Sequence, residues 1–366
     1  MPLSKSLFIA TILVLCLSFC NQKTEPSYKD IAGMPDGLDQ AIPVNIEKEL
    51  ILDTEPDIIG SIRVFRKVDD KFLVIDAYHS RQCYLFDGNG KLLKKIGSYG
   101  EGPGQYLIVL AACCSGDRIF LFSGPTIHIY DKNGEFIKRT MLPFFGICTD
   151  AYPAFNGSVY ALSYGSFNTC KDTIYQLNQD GELLKSFSPA PSGIPDVFET
   201  YLPLTGLCLE ETTFSQYFNF RYQFTQFDYD GNKLKEIKLS SSLYTSPVFR
   251  NISGEGHKAE KDYRTTFTQV NGLFPFSKGY VAILTNWKNV KESQRIFEFW
   301  SKDFSRRLGF VEISGEEIPL GVYEDRIITA DFENETKLIF RKINENWGKL
   351  GAVRANVQNQ GRCFSI

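Results

Sequence analysis

The 366-residue chain is poor in the residues that most often do chemistry: it holds only 3 His, 3 Met and 3 Trp. Three histidines leave little material for a histidine-built metal centre. Its 40 basic and 43 acidic residues are interspersed and nearly cancel. A nucleic-acid surface would need a basic stripe, so that partner class is excluded. None of the nine cysteines forms a C-x-x-C pair, which removes zinc-ribbon and thioredoxin-type readings. G-x-S-x-G, H-E-x-x-H and a phosphate-binding glycine loop are all missing. The glycine run at 100–104, "GEGPG", lacks the Lys-Ser/Thr of a nucleotide loop, and its proline removes an N–H. What the chain does have is aromatics: 30 Phe and 18 Tyr, a bias toward strands.

The first twenty residues, "MPLSKSLFIATILVLCLSFC", read as an export leader. One Lys precedes an apolar run over 7–19, too short to span a bilayer comfortably and matching a signal h-region. The run ends at Cys20, before polar "NQKTEPS". Leu17-Ser18-Phe19-Cys20 resembles a bacterial lipobox, which implies lipidation of Cys20 and a membrane anchor at the cell envelope. Phe19 departs from the small residue usual at that place, and an uncleaved anchor or cleavage elsewhere are the alternatives. Without Cys16 and Cys20 seven cysteines are left: Cys83, Cys113, Cys114, Cys148, Cys170, Cys208 and Cys363. An odd number leaves at least one unpaired within the chain. Most are expected to act as small core residues, and adjacent Cys113 and Cys114 would be strained if bonded.

A turn recurs along the chain. "YLFDGNGKLLKKI", "HIYDKNGEFIKRT", "YQLNQDGELLKSF" and "TQFDYDGNKLKEI" place Gly90, Gly134, Gly181 and Gly231 at steps of 44, 47 and 50 residues. That spacing suits propeller blades of four short strands. A fifth, degraded copy, "EFWSKDFSRRLGF", comes 73 residues later with Phe304 in the glycine place. In each intact copy an Asp or Asn (Asp87, Asp131, Asn178, Asp228) can close an Asx turn. The glycine supplies φ > 0 for a bulged hairpin. Four residues on, Lys94, Lys138, Lys185 and Lys235 would guard an outer edge. The aspartates are therefore turn formers and not calcium ligands, since no Glu stands at the twelfth position of a calcium loop.

Reading outward from the turns gives five complete four-strand units and a sixth with three strands. The missing strand is N-terminal, "IPVNIEKELIL" at 42–52. The expectation is an all-β fold: a six-bladed β-propeller of four-stranded antiparallel blades, closed by that N-terminal strand. Five or seven blades would leave a strand unaccounted for. The domain layout is a leader over 1–20, a tether over 21–41, the propeller over 42–345 and a tail over 346–366. The linker at 240–266 accounts for the 73-residue gap and reads as a mobile lid or a disordered segment.

Residues 72–106, "FLVIDAYHSRQCYLFDGNGKLLKKIGSYGEGPGQY", resemble an NHL repeat, and more narrowly the exported six-bladed propellers of bacterial lipoproteins. Asp76, Arg81, Phe86, Asp87, Gly90, Gly100, Gly102, Pro103, Gly104 and Tyr106 carry the match. Other blades keep only the turn. Some lyases of that family place metal-binding histidines around the central channel. Here His128 falls on a third strand, His257 in the long linker, and only His79 is well placed, so no metal site and no cofactor is expected.

Alternating strand direction puts the D-x-[ND]-G hairpins on one face. The varied loops between second and third strands lie on the other, where function usually sits. The candidate binding residues there are Asp76, His79, Arg81, Arg221, Trp287, Lys288 and Asp331. Aromatics beside charges suit a peptide, a glycan or an envelope protein. The expected protein is a monomeric binding or scaffold module, reaching the membrane through its lipid. A propeller lyase or hydrolase working at the channel mouth is the alternative.

Overall fold

The structure is a computed structural model. It describes residues 41–344 except 55–56, 145, 155–156, 165–171, 190–204, 249–256, 287–292, 314–315 and 334. Cys20, Trp287, Lys288, Cys170 and Cys363 lie outside the described residues.

Six four-stranded antiparallel sheets form the blades of a β-propeller. From inner to outer strand, blade one is Val64–Val68, Lys71–Asp76, Gln82–Phe86 and Leu92–Ile96. Blade two is Ala111–Ser115, Arg118–Ser123, Thr126–Asp131 and Phe136–Met141. Blade three is Ile147–Pro153, Val159–Tyr164, Asp172–Leu177 and Leu183–Pro189. Blade four is Thr205–Leu209, Thr213–Phe218, Gln223–Asp228 and Lys233–Lys238. Blade five is Thr268–Phe276, Gly279–Asn286, Gln294–Ser301 and Arg307–Ile313. Blade six is Ile318–Tyr323, Arg326–Asp331 and Lys337–Ile343, completed by Val44–Ile51.

The closing strand pairs antiparallel with Lys337–Ile343, from Val44 opposite Ile343 to Ile51 opposite Lys337. Leu50 and Leu52 enter a core that joins blade six (Ile328, Ala330, Leu338) to blade one (Phe72, Val74, Tyr84). The first strand thus supplies both a sheet edge and part of a seam. Each neighbouring pair of blades buries such an aliphatic and aromatic layer, which holds the ring together.

The turns form as their residues dictate. Asp87 Oδ1 accepts from the backbone N–H of Asn89 (2.8 Å) and Lys91 (3.0 Å), and Asp131 and Asn178 repeat the pattern. The ladder slips by one residue beside each turn, in blade five as well. Gly90 combines φ of 83° with a tight seat: a Cβ there would lie 2.3 Å from the Ile51 carbonyl oxygen of the closing strand. The turn of one blade therefore packs on the outer strand of the blade before it. Three of the four lysines expected to guard edges serve this seam, and Lys235 stays exposed. Lys94 pairs with Glu135, Lys138 with Asp180 at 2.9 Å, and Lys185 donates to the Tyr229 carbonyl at 3.0 Å. Lys48 of the closing strand does the same, donating to the Gly88 carbonyl at 2.7 Å.

The linker between blades four and five differs from expectation in its described parts. Leu239, Leu243 and Tyr244 pack on the core between those blades. A helix, His257–Arg264, follows, and its Tyr263 is buried and donates to the Val248 carbonyl at 2.8 Å. Of the cysteines, Cys83, Cys113, Cys148 and Cys208 are buried, Cys114 is half-buried, and all five are free thiols. Burial pushes the thiols of Cys83 and Cys114 up to about 12, so they are inert small core residues at neutral pH.

Candidate functional site

Two regions gather polar side chains: the loop face and the central channel. On the loop face, Asp76 ends the second strand of blade one and is fully buried. Its carboxylate accepts from the backbone N–H of Gly60 (2.9 Å), Tyr78 (3.2 Å), His79 (2.9 Å) and Ser80 (3.1 Å), and from Ser61 Oγ (3.1 Å). Burial pushes this carboxyl up, but the donors from His79, Ser80, Gly60 and Ser61 outweigh that push and hold it below the usual carboxylate value. Asp76 is therefore occupied in shaping its own loop, its carboxylate accepting five hydrogen bonds from it.

The shaped loop displays its side chains outward. His79 is exposed, with its ring against Gly60, where a Cβ would lie 2.6 Å from the imidazole Cγ. Arg81 is exposed and adopts φ of 53°, a left-handed conformation that costs a non-glycine residue about 1 kcal/mol. Its guanidinium lies 5.7 Å from the centroid of the Tyr99 ring. Tyr99 belongs to the glycine-rich linker, where Ser98–Tyr99 pairs in parallel with Gln105–Tyr106. Tyr106 pins that linker: its buried hydroxyl donates to the Ile96 carbonyl at 2.7 Å and accepts from Cys83 N–H at 3.0 Å. Tyr78 and Tyr99 are 63% and 57% exposed, unusually open for tyrosines on a rigid support. Both were absent from the expected set. Their signal was available, since each flanks a glycine- or serine-bearing loop beside a named candidate.

Of the remaining candidates, Trp287 and Lys288 lie outside the described residues, and Arg221 lies apart from this patch. Arg221 sits in the corresponding loop of blade four, across the ring from blade one, with its guanidinium 5.5 Å from the Phe220 ring centroid. Asp331 accepts from Glu333 N–H at 3.0 Å and caps a turn of blade six.

The channel holds a second constellation. Arg66 of the blade-one inner strand pairs with Asp150 of blade three, reaching past blade two. It can do so because the blade-two inner strand is "AACCS", with small side chains throughout. Arg66 also lies 5.3 Å from the Tyr152 ring centroid, and Tyr152 donates its hydroxyl to Asp150 Oδ2 at 2.7 Å. Burial opposes the charge on Arg66, but Asp150 wins and raises its pKa; burial, then Asp150, pushes the Tyr152 phenol well up. Arg63 donates to the Thr149 carbonyl at 3.0 Å, and Tyr217 covers Gly206 on its way to the Asn271 carbonyl at 3.4 Å. Among the described residues no three His, Cys, Asp or Glu converge as metal ligands.

A profile of the 6-bladed beta-propeller family matches residues 50–242, more than half of the chain. The chain belongs to this family. Among solved structures, a Bacteroides fragilis protein whose name marks it as exported superposes with a TM-score of 0.60 at 12% identity, covering 85% of this chain and 98% of its own. A catalytically inactive virginiamycin B lyase from Staphylococcus aureus, solved with quinupristin, gives a TM-score of 0.50 at 12% identity over 81% of this chain and 99% of its own. At such identities these likenesses speak for the fold. No curated protein matches the sequence.

Proposed function

We propose that this propeller is an exported, lipid-anchored binding module of the cell envelope, with an NHL-type first blade, and that it engages a protein partner through the blade-one loop patch. The observation that carries the reading is Arg81, held in a left-handed conformation over Tyr99 on a loop whose backbone donors converge on Asp76. Strain of this kind persists where surrounding structure enforces it, and it clusters at recognition sites. Exposed tyrosines and an arginine are also the residues that dominate interface energies. The channel residues are paired with one another, which weighs toward binding over catalysis. The leader ending at Cys20 and the exported name of the Bacteroides fragilis protein support the location.

Two measurements test this. Cys20→Ala should move the protein out of the membrane fraction; a variant that still pellets, with no lipid mass on the wild-type N-terminus, rejects the anchor. Arg81→Ala and Tyr99→Ala should each weaken capture of an envelope partner at least tenfold while leaving the melting temperature unchanged. Undiminished capture by both variants would move the site elsewhere.

A further inference from the structure

A groove of about 510 Å³ runs between blades three and four, from Arg221 at the loop face to Gly231 and Lys233 at the hairpin face. One wall is the end of the blade-three outer strand, and the floor is formed by buried and half-buried residues of blade four. The wall is built and not incidental. Ser188 adopts φ of 66° inside the strand, and a buried network fixes the kink. Ser188 Oγ donates to Gln216 Oε1, while Gln216 Nε2 donates to Thr173 Oγ1 (2.8 Å) and Thr205 Oγ1 (3.0 Å). Thr173 Oγ1 in turn donates to the Ser188 carbonyl at 3.0 Å. A network satisfied in this way holds a strained residue rigidly.

Three features define what the groove accepts. Its charges balance, with Arg221 and Lys233 against Asp172 and Glu236, so neither a polyanion nor a polycation is favoured. Arg221, Gln223 and Thr225 make no side-chain hydrogen bond among the described residues and offer both donors and acceptors. The kink at Ser188 and the missing N–H of Pro189 interrupt the strand edge, so a peptide cannot add there as a continuous strand. Recognition must then come from side chains. The half-buried rings of Phe218 and Phe187 line the same groove, and Phe227, buried against Phe214, backs it.

From this combination we infer that the groove binds a neutral, linear oligosaccharide. Sugar hydroxyls donate and accept at once, as the amide of Gln223, the guanidinium of Arg221 and the carboxylate of Asp172 require. The C–H faces of sugar rings pack on aromatic side chains. Four residues of strand separate Gln223 from Phe227, about 13 Å, long enough for more than one ring. The site is separate from the blade-one patch and does not depend on it.

Calorimetric titration of the full chain with cellohexaose, maltohexaose, mannohexaose and xylohexaose, beside hexagalacturonate as the charged control, tests the inference. At least one neutral hexaose should bind. Arg221→Ala and Gln223→Ala should each weaken that binding about tenfold or more, the loss expected for one hydrogen bond to a charged or well-placed partner, with no change in melting temperature. Arg81→Ala should bind sugar as the wild type does. Binding of none of the neutral sugars, binding of the charged one alone, or affinity untouched by both groove variants overturns the inference. Loss through Arg81→Ala with the groove variants intact would place the sugar on the blade-one patch, rejecting the groove and leaving the binding-module reading in place.

Discussion

Phe304 stands where four other blades place glycine, and it keeps the positive φ of that position at 59°. Its ring explains why it is tolerated. It is buried, stacks on Tyr280 at 4.2 Å between centroids and meets Phe224 at 5.6 Å, filling the seam between blades four and five. Phe304→Gly would relieve about 1 kcal/mol of backbone strain and forfeit about 3–5 kcal/mol of packing. A net destabilisation of about 2–4 kcal/mol is expected in urea unfolding; a variant as stable as the wild type would show that the ring's packing does no more than offset its backbone strain. His128 gives a prediction in pH. It is buried on the third strand of blade two, and burial, followed by the charge of Arg139, lowers its pKa from 6.5 to about 4. The folded state holds it neutral, so its contribution is complete above pH 6.5 and is lost as pH falls from about 6.5 toward about 4. His128→Gln should flatten the melting curve's pH dependence in that window relative to the wild type. Identical pH profiles would mean that His128 charges freely in the fold.

Strands and turns were the legible part of this sequence. An aromatic, an Asx residue and a glycine recurring at blade spacing announce a local hydrogen-bond pattern, and local patterns survive into the structure. The closing strand was legible because an odd strand count leaves an edge that must be matched. Deleting the chain through Leu52 should expose the backbone edge of Lys337–Ile343 and uncover Phe72 and Leu338. Aggregation or a large fall in melting temperature is expected by light scattering and calorimetry. A soluble truncation of equal stability would require another closure. The helix His257–Arg264 was not legible. "HKAEKDYR" is polar around most of its circumference, with Tyr263 its buried anchor, so no apolar stripe marked it. The groove residues Gln216 and Gln223 and the exposed Tyr78 and Tyr99 also escaped notice, because their meaning depends on a neighbouring blade.

At the scale of the molecule, the ring is braced across its channel as well as around its rim. The Arg66–Asp150 pair ties blade one to blade three and was invisible in a sequence read blade by blade. Each side chain is about a quarter exposed to the channel, at 25% and 26%, so the pair falls between buried and surface cases. Asp150→Ala should cost about 1–3 kcal/mol by stranding Arg66, and the double variant Arg66→Met with Asp150→Leu should recover most of that. An unchanged melting temperature in Asp150→Ala would mean that the brace carries no strain and the seams alone hold the ring.

The pairing of Val44–Ile51 with Lys337–Ile343 also sets a timetable. Synthesis produces the closing strand first, yet the strand it pairs with, Lys337–Ile343, is made after every blade between them. Until then the strand cannot be seated, and blade six has no outer edge to offer. A topology with its decisive contact between the two ends of the sequence folds slowly and late. Arrest of synthesis between Ile313 and Lys337 would leave a chain with blades one to five complete and an open ring. The contact that completes the molecule is thus also a check that the whole propeller has been made.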